Sequence, residues 1–263
     1  MLKSQTFKLY LEYDGEQFFG IQRQSVSPTV ESVLISAAKK IFGNEIFLNY
    51  CGRTDRGVHS VGMPLLLSVG KSVSLDSVKI RESLNSKLSG LRVTKCFKEF
   101  SRALDIRKSA FGREYFFLFS DIEQPLFLRK IVGSVKGVVD IEFLSDLSDL
   151  VVGRFDFNNF SNNNGNEGHG SCRTVYECHV KRLNAFSEFQ GFDSKVYCMS
   201  VVGQGFLYNM IRNILGAFLA CDQNRFLVET LTKALEFGVS GESFYKTMKP
   251  TGLFFKTATY INY

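Results

Sequence analysis

The sequence predicts an α+β protein with mainly antiparallel sheets flanked by helices, arranged as two related halves at residues 1–104 and 105–263. Three observations predict it. Strand and helix patterns in the first half follow the order β-α-β-loop-β-α-β, that of a split-βαβ, ferredoxin-like unit. The second half repeats this sheet-and-helix style without repeating the sequence. The chain, 263 residues with 44% apolar and 22% charged side chains, is long and apolar enough for one large domain or two modest ones with a sizeable core.

Each element has its own signal. Phe7, Leu9, Leu11 and Tyr13 alternate with Thr6, Lys8, Tyr10 and Glu12, the period of a half-buried strand, and Asp14-Gly15 turns the chain. A helix follows, capped by Ser27 with Pro28 in its first turn. Val30, Val33, Leu34, Ala37, Ala38 and Ile41 recur on one face, and Gly43 ends it. Strands at 46–51 and 63–69, a helix at 78–88 and a strand at 91–97 complete the first half. In the second half, strands are predicted at 113–120, 174–183, 194–203 and 253–260. Helices are predicted at 207–220 and at 225–237, the latter capped by Asn224 and stopped by Gly238. The stretch 158–172, rich in Asn and Gly, reads as a loop.

Composition excludes several classes. The six cysteines form no C-x-x-C pair and the three histidines lack zinc-like spacing, so thiols in a reducing compartment are expected, and no metal. No signal-peptide h-region or transmembrane-length run occurs, which points to a cytoplasmic protein without membrane attachment. A net charge of +6 permits a polyanionic partner without requiring one.

Two segments carry possible chemistry. The loop "NYCGRTDRGVHSVG" sets Asp55 among Arg53, Arg56 and His59 between glycines. Such an aspartate serves either to cap a turn or to supply one ionised carboxylate at a fixed place. In the helix at 207–220, Asn209, Arg212, Asn213 and Gly216 fall on one face. Spacing alone favours a solvated face there over the alternative, a stripe that lines a cleft.

Taken together, "YDGEQFFGIQRQ", "TVESVL", "CGRTDRGVHS", "FLYNMIRNILGAFL" and "TGLFFKTATY" resemble, in order and over nearly the whole chain, the TruA family of tRNA pseudouridine synthases. The resemblance implies a pseudouridine synthase fold around a basic cleft. It also implies a tRNA pseudouridine(38–40) synthase that isomerises uridine in the anticodon stem-loop without cofactor or metal, as a homodimer. It makes Asp55 the catalytic aspartate, Arg212 the active-site arginine and Tyr115 the ring that stacks on the flipped uracil. Arg53 would help to expose the target base, which an enzyme acting on a base must do. Without the family, Tyr115 reads as a core strand residue and Arg53 as a phosphate contact or surface ion pair. By the same resemblance Arg107, Arg173 and Gln22 are substrate-binding candidates, and Arg56 a further cation near RNA. The chain departs from the family pattern at Arg56, where a small residue is usual, and at Ile21, Met63, Phe117 and the proline-free "NSKLSG".

Two other classes compete. One is an RNA-binding or tRNA-folding module with altered catalysis. The retained Asp55 argues against it, because an unused carboxylate repels a phosphate-rich ligand. The other is a metabolic enzyme on a double ferredoxin-like fold, against which stands the lack of a P-loop or dinucleotide fingerprint.

Overall fold

The computed structural model describes residues 4–25, 28–99, 105–162, 170–183, 195–238 and 243–260. Its contacts divide the chain into two units, Met1–Phe111 with Phe254–Tyr263, and Gly112–Leu253.

The first unit runs β1 (Gln5–Tyr13), α1 (Val30–Phe42), β2 (Ile46–Tyr50), β3 (His59–Val69), α2 (Ser77–Asn85) and β4 (Leu91–Glu99). The strands lie in the order β4-β1-β3-β2, antiparallel at every step. β1 and β2 are therefore parallel with β3 between them, which is the split-βαβ arrangement predicted from the element order. Period two does the sorting in β1. Phe7, Leu9, Leu11 and Tyr13 are buried, and Phe7 stacks on Phe42 at the end of α1 with ring centroids 6.4 Å apart. A buried leucine such as Leu9 or Leu11 contributes about 1.5–3 kcal/mol relative to an exposed one.

Helix α1 starts later than its sequence signal suggested. The cap is Thr29, whose side chain accepts from Ser32 N while Ser32 Oγ accepts from Thr29 N, a reciprocal capping box. Pro28 stays outside the helix, its carbonyl accepting from Phe19 N at 2.9 Å, and Ser27 lies outside the described residues. Strand β3 begins four residues before its apolar run, at His59. Ser60 Oγ holds this irregular start, donating to Leu11 O and accepting from Gly62 N and Met63 N.

The second unit continues with β5 (Ala110–Ser120), β6 (Gly133–Ser134), α3 (Ile141–Leu150), β7 (Gly153–Asp156), β8 (Cys172–Leu183), β9 (Val196–Gly203), α4 (Met210–Gln223) and α5 (Leu227–Phe237). Its sheet is ordered β5-β9-β8-β7, antiparallel throughout, with β6 alongside β5 in parallel. Helix α3 is an addition to the sequence reading. Asp140 Oδ1 caps it through Phe143 N at 3.1 Å, and it buries Leu144 and Leu147. Helix α5 begins after Asn224, which makes a turn instead of a cap: its Oδ1 accepts from Phe226 N and its carbonyl from Leu227 N. Gly238, left-handed at φ 57°, ends α5 as predicted. In the polar stretch 158–172, residues 163–169 lie outside the described residues, and Asn158–Phe160 forms a single 3₁₀ turn.

The last strand, β10 (Leu253–Tyr260), pairs in parallel with β3 at Phe254–His59 and Phe255–Ser60, within the first unit. Burial pushes the thiols of Cys96 and Cys221 up to about 11 and that of Cys178 up to about 12, which leaves them protonated and inert at neutral pH. Among the described residues, no helix is long and apolar enough to cross a membrane.

Candidate active site

The loop carrying Asp55 joins β2 to β3, and its backbone is held from outside. Thr54 Oγ1 and Tyr13 OH lie 2.8 Å apart in the interior, and Thr54 O accepts from Ile21 N at 3.2 Å. Val58 N donates to Asp55 O at 3.2 Å, closing a turn in which Gly57 takes φ +82°. Two glycines let the neighbouring chain approach this loop. A Cβ on Gly15 would lie 2.2 Å from Val58 O, and one on Gly20, itself at φ +84°, 2.7 Å from Thr54 O. Thr54 and Val58 are buried while Asp55 between them is half-buried. The carboxylate thus belongs to a half-buried residue on a fixed backbone.

His59 closes the loop structurally. Its Nδ1 accepts from Gly15 N at 3.1 Å and its ring stacks on Phe254 with centroids 4.7 Å apart. Asp14 Oδ1 also lies 3.4 Å from Nδ1. A nitrogen that accepts from a backbone N–H carries no proton of its own, so this contact is not an ion pair in that tautomer.

The predicted cations divide among distinct places. The Arg56 guanidinium lies over the Phe19 ring at 4.0 Å, so the residue after Asp55 reaches the segment that also holds Thr54. Arg53 and Arg107 converge on Tyr50, the last residue of β2. Burial pushes the Tyr50 phenol above its usual value and Glu31 adds to this, while both arginines pull it down. Gln22 is exposed, next to the Ile21 that binds Thr54.

Tyr115 and Arg212 belong to the second unit. Tyr115 sits on β5 opposite Val201, 8% exposed, with its ring edge-on to Phe206 at 5.4 Å. It shares its phase along the strand with the fully buried Phe117 and Phe119. Arg212, on the first turn of α4, donates from Nε to Met248 O at 2.6 Å and from Nη1 to Asn209 Oδ1 at 2.5 Å. The stripe around it is not solvated. Asn213 is buried, its Nδ2 donating to Phe160 O and Asn162 Oδ1, and a Cβ on Gly216 would lie 2.2 Å from Lys246 O. Spacing cannot distinguish a polar face turned to water from one turned to irregular backbone, because both need polar side chains. Arg173 Nη1 donates to Gly170 O and Cys172 O, clipping the start of β8. Tyr13 and Met248 were not singled out from sequence: Tyr13 looks like any inward strand residue, and a backbone carbonyl leaves no trace in residue type.

A carboxylate held on a glycine-framed loop of a split-βαβ unit, with arginines on the same and neighbouring segments, is an arrangement that can do acid–base or nucleophilic chemistry. Comparisons with known proteins bear on the family. A family model described as tRNA pseudouridine synthase matches residues 148–260, which include Arg173 and Arg212. The tRNA pseudouridine synthase A of Thermosipho melanesiensis is 31% identical over 94% of this chain and 96% of its own length. That of Caldicellulosiruptor saccharolyticus is 28% identical over 96% of this chain and 98% of its own. Among solved structures, a Cbf5-Nop10-Gar1 complex aligns with 14% identity and a TM-score of 0.38 over 90% of this chain and 61% of that one. The near-complete match to a relative above 30% identity fixes the class as a pseudouridine synthase. The chain belongs to the tRNA pseudouridine synthase A family and is an RNA-modifying isomerase.

Proposed function

We propose that this synthase converts uridine to pseudouridine at positions 38–40 in the anticodon stem-loop of tRNAs, with Asp55 as its catalytic carboxylate. The observation that carries the reading is the Asp55 loop itself: Thr54 and Val58 are buried and hydrogen-bonded, and they fix the backbone of the half-buried Asp55 between them. The N1–C1′ bond of the nucleotide breaks, the uracil turns, and C5 bonds to C1′. The proton leaves C5 for solvent and N1 takes one up, so the atoms balance and nothing is oxidised. Asp55 must be ionised whether it attacks the base, attacks C1′ or drives a glycal route; all three release the same C5 proton.

Other residues take roles that follow from family membership. Tyr115 is the candidate ring for the flipped uracil, Arg212 the candidate active-site cation, and Arg53 the group that helps expose the base. Arg56, Arg107, Arg173 and Gln22 are assigned to RNA contacts, in keeping with a net charge of +6. The enzyme is placed in the cytoplasm as a homodimer that holds tRNA in a basic cleft. The first half, residues 1–104, carries the aspartate, and the second half carries the tyrosine and arginine.

Mapping pseudouridine in tRNA transcripts with uridine at 38, 39 or 40 changed singly to cytidine tests the assignment. Each change should remove one modified position and leave the others. Modification elsewhere overturns the positions, and tight binding of every transcript with no modification overturns the enzyme in favour of a binding module.

A further inference from the structure

Helix α4 begins in an unusual way. Asn209 occupies its N-cap, where asparagine ordinarily takes an extended backbone and its side-chain oxygen accepts from an amide of the first turn. Here Asn209 is left-handed, φ 62° and ψ 2°, the one non-glycine residue with positive φ among the described residues, and its side chain makes no capping bond. Only its carbonyl serves the helix, accepting from Asn213 N at 2.9 Å.

The side chain is spent elsewhere. It is 8% exposed, and its Oδ1 accepts from Arg212 Nη1 at 2.5 Å. Arg212 is held a second time through Nε to Met248 O at 2.6 Å. Two contacts from different directions fix a planar guanidinium in both position and tilt, where one would leave it free to swing. The helix therefore gives up a cap and accepts a costly backbone conformation to hold this arginine. Strain that persists against local stability is characteristic of functional sites. Asn209 lies in the segment "FLYNMIRNILGAFL", but the family resemblance assigns it no role.

We infer that Asn209 is a positioning residue that sets the Arg212 guanidinium before substrate arrives. The inference rests on the reading of Arg212 as the active-site arginine. Pre-setting removes a reorganisation step from the reaction and leaves tRNA affinity untouched, so its signature is a loss in rate and not in binding.

Asn209→Gly separates the two things Asn209 does. Glycine keeps the left-handed backbone without strain and removes the side chain with its acceptor oxygen. Asn209→Asp keeps an acceptor at the same place. The readouts are single-turnover tritium release from tRNA carrying [5-³H]uridine, tRNA Kd and Tm. Asn209→Gly should slow the reaction by about ten- to a hundredfold, with unchanged Kd and no fall in Tm. Asn209→Asp should stay much closer to the wild-type rate. A wild-type rate in Asn209→Gly, or a slowing matched by weaker tRNA binding or a lower Tm, overturns the inference. Arg212→Lys distinguishes the two levels. A full rate there refutes the active-site role of Arg212 itself, whereas a collapsed rate beside an unimpaired Asn209→Gly refutes Asn209 alone.

Discussion

The hydroxyls of Tyr13 and Thr54 meet at 2.8 Å inside the first unit, and the next residue along the chain is Asp55. Burial pushes the Tyr13 phenol far above its usual value, so it remains a neutral hydrogen-bonding group at any working pH. The inward face of the first strand thereby reaches the loop that carries the carboxylate. Tyr13→Phe leaves a buried threonine oxygen without its partner and should cost about 1–2 kcal/mol. Thr54→Val should cost a similar amount, and the double variant less than the sum, since no polar group is then stranded. Urea denaturation of the four proteins checks this, and the isomerisation rate should fall in each single variant.

The stacking of Arg56 on Phe19 makes a second expectation. If the guanidinium, steadied by the ring at 4.0 Å, contacts a phosphate, Arg56→Ala weakens tRNA binding and lowers the slope of log Kd against log salt by about 1. Phe19→Leu keeps the charge and loses the support, so it should weaken binding with the slope preserved. Titrations at four salt concentrations measure both. Equal slopes for all three proteins would show that Arg56 meets no phosphate.

Gly216 marks a close approach of α4 to the chain before β10. Gly216→Ala places a methyl 2.2 Å from Lys246 O, backbone that cannot step aside cheaply, and should destabilise by about 1–3 kcal/mol. Because Met248, two residues beyond Lys246, holds Arg212, the rate should fall as well. Thermal denaturation and initial rates test the pair of effects.

How much of this was legible in the sequence varies with the physics of each element. The alternation in Phe7–Tyr13 and the element order pointed to a split-βαβ unit, and the β4-β1-β3-β2 order is the one such a unit takes. The strand order of the second unit, in which β7, β8 and β9 follow one another, was not readable, since strand patterns state burial and not neighbours. Helix α3 escaped because ten residues bury little beyond Leu144, Leu147 and Ser148. At the site, Asp55, Arg53 and Arg56 stood out by their glycine-framed motif. Tyr13 and the carbonyl of Met248 did not, because what they do depends on distant partners. The solvated reading of the Asn209–Gly216 stripe failed for the same reason: its partners are backbone groups at Phe160 and Lys246–Met248.

One acid sensitivity lies away from the site. Asp121 is 2% exposed in its side chain. Burial pushes its carboxyl up, but Lys195 Nζ at 2.7 Å and Val139 N at 2.9 Å outweigh it, and the net value lies below the ordinary one. A folded value below the unfolded one gives stability that is complete above the unfolded value, about 4. That stability is lost as pH falls through the folded value. Urea midpoints should therefore decline below about pH 4, and Asp121→Asn should flatten that part of the decline while lowering stability at neutral pH. An unchanged acid limb in the variant would remove Asp121 from the explanation.

The central claim is that Asp55 performs the isomerisation. Its most direct test is tritium release from tRNA carrying [5-³H]uridine, wild type beside Asp55→Ala, with tRNA binding measured on both. The account predicts release by the wild type and none by Asp55→Ala, with binding retained. Release by Asp55→Ala at the wild-type rate would contradict it.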